Sequence, residues 1–198
     1  MRDFIASLLC GFLLFACNTG LCGQDLLGKW EEFSRSTDSR ELCSWLRMRA
    51  RCELTGERCS SGSSVVTPPF YGRLGIFVTL RTGGRVRGCY GAFSHDSVSL
   101  DLVLARYLEG ALTGDPRHEP ITAAELEETE IIITVASQPV PLDDLLSTDP
   151  GSYGIMLTFE NGADLVFVPA EDRTTSYLKK VVAGRQYQAR VFRAVTLK

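Results

Sequence analysis

The stretch Ile76-Phe77-Val78-Thr79-Leu80-Arg81-Thr82-Gly83-Gly84-Arg85-Val86-Arg87-Gly88-Cys89-Tyr90-Gly91 sets the frame for a chain of 198 residues. It reads as strand, glycine turn, strand. Residues 76–80 are apolar on both faces except at Thr79, the pattern of a strand with neighbours on either side. Gly83-Gly84 supplies a two-residue hairpin turn. The second strand ends in Arg87-Gly88-Cys89-Tyr90-Gly91, where Gly88 and Gly91 permit positive φ or the close approach of another backbone. Cys89 is expected at a kinked strand end beside the Arg87 guanidinium, an arrangement that lowers a thiol pKa. That makes Cys89 the candidate nucleophile or redox thiol.

Outward from this hairpin the chain alternates short helices and strands. Leu42, Trp45, Leu46 and Arg49 fall at helical spacing, predicting a helix over residues 38–54 with Asp38 or Ser39 at its start. Ser60-Ser61-Gly62-Ser63-Ser64 is a polar loop, ended by Pro68-Pro69. Leu100, Val103, Leu104, Tyr107, Leu108 and Ala111 mark the clearest helix, over residues 97–113, which Gly114 stops. Asp115-Pro116-Arg117-His118-Glu119-Pro120 is an exposed connection. Thr122 and Glu125 form a capping box for a short helix. Ile131, Ile133 and Val135 alternate as a strand, and residues 142–146 form one helical turn. Residues 154–159 and 164–168 flank Asn161-Gly162, a type I′ hairpin signal. Thr174 or Thr175 caps a helix through Val182, closed by Gly184, and residues 187–192 make a closing strand. His95 follows a loop and is expected to face solvent. Short antiparallel pairs mixed with helices predict an α+β class: an antiparallel sheet with packed helices.

The N-terminal segment is read separately. The apolar run over residues 4–17 is shorter than the roughly twenty residues that span a bilayer, and it follows Arg2. It ends Leu14-Phe15-Ala16-Cys17, which resembles the lipobox of bacterial lipoproteins, with Cys17 as the lipid acceptor. Acyl chains on such a cysteine enter a leaflet at about 0.8 kcal/mol per buried CH₂. The expected organisation is a signal peptide over residues 1–16, a tether over 17–37 and a folded domain over 38–198, exported and held by palmitate at the bacterial cell envelope. Export permits disulfides. Of the seven cysteines, Cys52 and Cys59 bracket a short loop and are candidates to pair, Cys43 and Cys22 are others, and Cys89 is expected to stay free. A formal net charge of −3 gives no argument for nucleic-acid binding. With two histidines and no CxxC pair, neither a metal site nor a cofactor is expected.

Taken together, residues 75–80, Arg87-Gly88-Cys89-Tyr90-Gly91, Asp115-Pro116-Arg117, residues 121–130, Tyr153-Gly154-Ile155 and residues 187–192 resemble the AMMECR1 domain. The similarity covers about residues 38–198. It implies an α+β fold with an antiparallel sheet, packed helices and a smaller second lobe. The resemblance also implies a family in which some members are associated with Memo-like and radical-SAM proteins and which carries no settled biochemical activity. This chain departs from the family pattern at Tyr90, usually Ile or Val, and at His118, usually an aromatic. The family's Leu-Pro-Gln-Val-Ala segment is reduced here to Val168-Pro169-Ala170.

The candidate site is therefore a cleft formed by Arg87, Gly88, Cys89 and Gly91 with Asp115, Arg117 and His118. Arg87 and Arg117 could clamp a carboxylate or phosphate, since guanidinium forks match both, or form structural ion pairs. His118 could pair with Cys89 or supply half a metal site. The favoured function is a membrane-anchored domain that binds a small anionic ligand or a protein partner. The alternative is a small thiol enzyme using Cys89.

Overall fold

The computed structural model describes residues 19–59 and 62–198; the signal segment over 1–16 and Cys17 lie outside them. Two helices lead, α1 (Thr19–Phe33) and α2 (Thr37–Thr55). The opening hairpin is β1 (Gly75–Thr82) and β2 (Arg85–Ala92), followed by α3 (Leu100–Glu109) and a π-helical turn at Gly110–Gly114. Then come α4 (Ala123–Leu126), β3 (Thr129–Ala136), β4 (Val140–Pro141), β5 (Gly154–Phe159), β6 (Asp164–Phe167), α5 (Thr175–Val182), β7 (Tyr187–Phe192) and β8 (Ala194–Leu197). They form two four-stranded antiparallel sheets, ordered β2-β1-β3-β8 and β4-β7-β5-β6. The α+β reading holds, and the second sheet with α5 is the second lobe.

The first sheet is covered on both sides, which is why β1 and β3 are apolar on both faces. Ile76, Val78, Leu80, Ile131, Ile133 and Val135 pack toward Leu42 and Leu46 of α2 and Leu104 and Leu108 of α3. Phe77 and Ile132 face the other way, against Phe192 of β7 and the turn at Pro169–Glu171. The second lobe has its own core, where Leu178 of α5 covers Ile155, Leu157 and Phe167. Each large apolar side chain buried this way contributes roughly 1.5–3 kcal/mol.

Several local expectations shift. The stretch expected as a tether over 17–37 is for the most part α1, and Leu26, Leu27, Trp30 and Phe33 are buried in the main core. Apolar residues at these spacings share a helix face, and Trp30 adds an indole N–H bond to the Pro69 carbonyl at 3.2 Å. Ser36, not Asp38 or Ser39, caps α2 by accepting from the Ser39 N–H. Gly83 (φ 54°) and Gly84 (φ 77°) are both left-handed, as a type I′ turn demands. At Asn161-Gly162 only Gly162 has positive φ (79°), and the Gly162 N–H bonds to the Phe159 carbonyl at 2.9 Å. That hairpin is a three-residue loop rather than type I′. The Thr122 hydroxyl caps α4, but the Glu125 carboxylate turns away to Arg87, so the capping box is half made. His95 is not solvent-facing: its Nδ1 lies 2.9 Å from the Tyr107 hydroxyl and its Nε2 lies 2.8 Å from the Leu74 carbonyl. Cys52 and Cys59 form a disulfide, while Cys43 and Cys89 are free.

Candidate functional site

Two glycines bring the site together. A Cβ on Gly88 would lie 2.0 Å from the carbonyl oxygen of Ala111 in the π-helical turn. A Cβ on Gly91 would lie 2.3 Å from the Ile76 carbonyl oxygen. Close approach of another backbone explains both, and neither has positive φ. The register of β1 on β2 shifts between Leu80 and Arg81, leaving Arg87 unpaired as the extra residue of a bulge. The bulge carries Arg87 to Glu125, where Nε donates to Oε1 at 2.5 Å and Nη2 to Oε2 at 3.3 Å. Each partner stabilises the other's charge: the Glu125 bond raises the Arg87 pKa, and the Arg87 bond lowers that of Glu125.

Beyond the bulge, Cys89 pairs with Thr79 and faces the second lobe. β2 is an edge strand, so an outward N–H needs a partner. The Asp115 carboxylate supplies it, accepting from the Cys89 N–H at 2.9 Å. The same carboxylate accepts from Arg117 Nε at 2.9 Å and Nη2 at 2.8 Å. Burial pushes the Asp115 carboxyl up, but these bonds from Arg117 and Cys89 outweigh it and hold its pKa low. The hairpin end and the Asp-Pro-Arg connection are thus joined by one buried carboxylate.

Arg117 also reaches Glu171, with Nη1 donating to Oε2 at 3.4 Å, and Arg173 donates to the same oxygen from Nε at 3.2 Å and Nη2 at 3.1 Å. The Glu171 side chain is 0% exposed and its Oε1 has no partner among the described residues. Burial pushes its pKa up against the pull of Arg117 and Arg173. Glu171 and Arg173 were not picked out in the sequence. Only the departure at Val168-Pro169-Ala170, directly before Glu171, pointed to that turn.

Three expectations change here. Burial pushes the Cys89 thiol up to about 12, with Glu171 adding to the rise. Thr79 Oγ1, 3.3 Å from Sγ, and the Arg117 charge offset little of this. A guanidinium therefore does not activate Cys89. Arg87 and Arg117 do not converge on one anion, because separate carboxylates hold them. The backbone N–H of His118 donates to the Asp115 carbonyl at 3.1 Å, its ring Nε2 is buried without a partner, and no bond joins it to Cys89 among the described residues. Burial lowers the His118 pKa, leaving it neutral near pH 7. No group of three His, Cys, Asp or Glu among the described residues is placed to hold a metal. Tyr90 points to the opposite face of the strand from Cys89, lies over Gly110 and is 43% exposed.

A family model described as AMMECR1 matches residues 44–191, most of the chain. The chain belongs to the AMMECR1 family. It is 33% identical over 103 residues to a protein of Thermotoga maritima, covering 52% of this chain and 59% of the relative. It is 30% identical over 115 residues to a protein of Methanothermobacter thermautotrophicus, covering 58% and 59%. The chain thus spans less than two thirds of the length of these curated relatives. The fold is also that of the uncharacterized protein PH0010 from Pyrococcus horikoshii, with a TM-score of 0.59, 18% identity, and 84% and 90% of the two chains covered. In this AMMECR1 chain Arg87-Gly88-Cys89 and Asp115-Pro116-Arg117 are the two segments that the Asp115 carboxylate joins.

Proposed function

We propose that this AMMECR1 chain is a recognition domain held at the membrane through a lipid on Cys17, and that it contacts a protein partner with the surface around Arg87, Tyr90, Arg117 and His118. The observation that carries this reading is the Asp115 carboxylate bridging Cys89 and Arg117. It fixes the strand end against the Asp-Pro-Arg turn and leaves no activated group inside. What the locked surface presents outward is an exposed tyrosine and two arginines whose pairs are partly open to water; the Arg117 side chain is 32% exposed. Tyrosine and arginine are the side chains that most often anchor protein interfaces. Because carboxylates already hold both guanidiniums, a protein surface is a better match than a small anion. The raised thiol pKa weighs against the thiol-enzyme alternative.

Anchoring is tested by labelled-palmitate incorporation, expected for the native chain and lost in Cys17→Ser. Equal labelling of both would remove the anchor. Recognition is tested with a photo-crosslinking residue at position 90 or, as a control, at position 48 on the exposed side of α2. A partner captured at 90 but not at 48, and lost on Arg87→Ala, supports the surface. Equal capture at both positions would contradict it.

A further inference from the structure

We propose a second binding site, in the cleft between α1, the turn before β5 and the start of β8, for a small aromatic anion such as an aryl phosphate or carboxylate. The cleft holds about 500 Å³, within the range of small-molecule sites, and is lined by Leu27, Glu31, Ser152, Tyr153, Arg193 and Thr196 among others. It is distinct from the Cys89 seam.

Three observations converge. The first is an uncommitted cation. The backbone of Arg193 is pinned, its N–H donating to Ser137 Oγ at 3.1 Å and its carbonyl accepting from the Ser137 N–H at 2.9 Å. Its guanidinium meets no carboxylate among the described residues, and the nearby Glu31 is engaged with Arg35 at 2.8 Å. Of the residues that line the cleft, Glu31 is the one carboxylate and Arg193 the one cation, and with Glu31 engaged by Arg35 the guanidinium is the group placed to meet an anion.

The second is an aromatic ring held ready. Asp149 orders the turn before β5, accepting from the Gly151 N–H at 3.0 Å and the Ser152 hydroxyl at 2.6 Å, while its carbonyl takes the Tyr153 N–H at 3.0 Å. Tyr153 is 45% exposed, and its side chain makes no ring contact or hydrogen bond among the described residues. Its neighbour Gly154 has a packing reason, since a Cβ there would meet the Phe192 ring at 2.0 Å. Packing gives Tyr153 no comparable reason. The third is the apolar and hydroxyl lining. Leu27 closes one side, and Thr196 offers a hydroxyl beside the guanidinium, while the Ser152 hydroxyl is already given to Asp149. A planar ring against Tyr153 with its anionic group on Arg193 satisfies all of these groups together.

The test is a ligand-observed NMR titration of the full chain, kept in nonionic detergent, with phenyl phosphate and with inorganic phosphate. Phenyl phosphate should bind saturably and more tightly than inorganic phosphate. Arg193→Gln should weaken it by about tenfold or more. Tyr153→Ala should weaken phenyl phosphate and leave inorganic phosphate unchanged. Arg185→Gln, in the separate cleft beside Phe159, should leave both unchanged. No saturable binding, equal affinity for the two probes, indifference to Arg193→Gln, or equal loss in Arg185→Gln would each overturn the proposal.

Discussion

Gly88 shows how far a single residue reaches. Its missing Cβ lets the Ala111 carbonyl rest on the strand, which places the π-helical turn and, directly after it, Asp115. Gly88→Ala should lower the unfolding free energy in urea by about 1–3 kcal/mol, the usual cost of forced overpacking. A change within a few tenths would show that the contact is not tight. The thiols give a pH prediction. Burial raises the folded pKa of Cys43 to about 11 and of Cys89 to about 12, from an ordinary 9.0. A raised acid keeps its proton in the folded state where the unfolded chain has lost it. The stability it contributes is complete below the unfolded value and falls as pH climbs from 9 toward the folded values. Cys43→Ala and Cys89→Ala should each flatten part of that fall in urea midpoints measured between pH 8 and about 10.5. An unchanged slope in both variants would contradict the burial. Cys89 was legible as a structured, unpaired cysteine from its two glycines. Its protonation was not, because the enclosing groups come from Asp115 and Glu171, far along the chain.

At the level of elements, whatever announced itself by local pattern was readable: the type I′ glycines at 83–84, the apolar stripe from Leu100 to Ala111, and the Thr174 cap of α5. Helix α1 was missed although Leu26, Leu27, Trp30 and Phe33 share one face, because its glycines and its place after a signal-like run suggested a tether. The correction is measurable. Trp30→Ala should cost about 3–5 kcal/mol, as for a large aromatic removed from a core, whereas a tether residue would cost nothing. The loop closed by Cys52 and Cys59 spans seven positions at the end of α2. Chain entropy gives a bond of that reach about 2–3 kcal/mol. Dithiothreitol should lower stability by that amount in the native chain and leave a Cys52→Ser, Cys59→Ser double variant unmoved. Equal sensitivity of the two would place the effect elsewhere.

Across the whole molecule, the candidate site is a seam. The first sheet meets the second lobe there, and the carboxylates of Asp115 and Glu171, with Arg117 and Arg173 between them, close over Cys89. Sequence reasoning found two segments of this seam, Arg87–Gly91 and Asp115–His118. It missed the third, because Glu171 lies 54 positions from Arg117 and no local spacing connects them. Cys89 is partly covered rather than sealed, and the raised pKa of its thiol disfavours a nucleophilic role while the seam stays closed. Site-resolved alkylation of Cys89 in the folded full chain at pH 7, read by mass spectrometry, tests this most directly. With the thiol pKa pushed up to about 12, labelling should run at least about a thousandfold slower than for an unfolded control peptide and speed up in urea as the seam opens. Labelling of native Cys89 as fast as the peptide, or faster, would contradict the closed seam and return Cys89 to the centre of the chemistry.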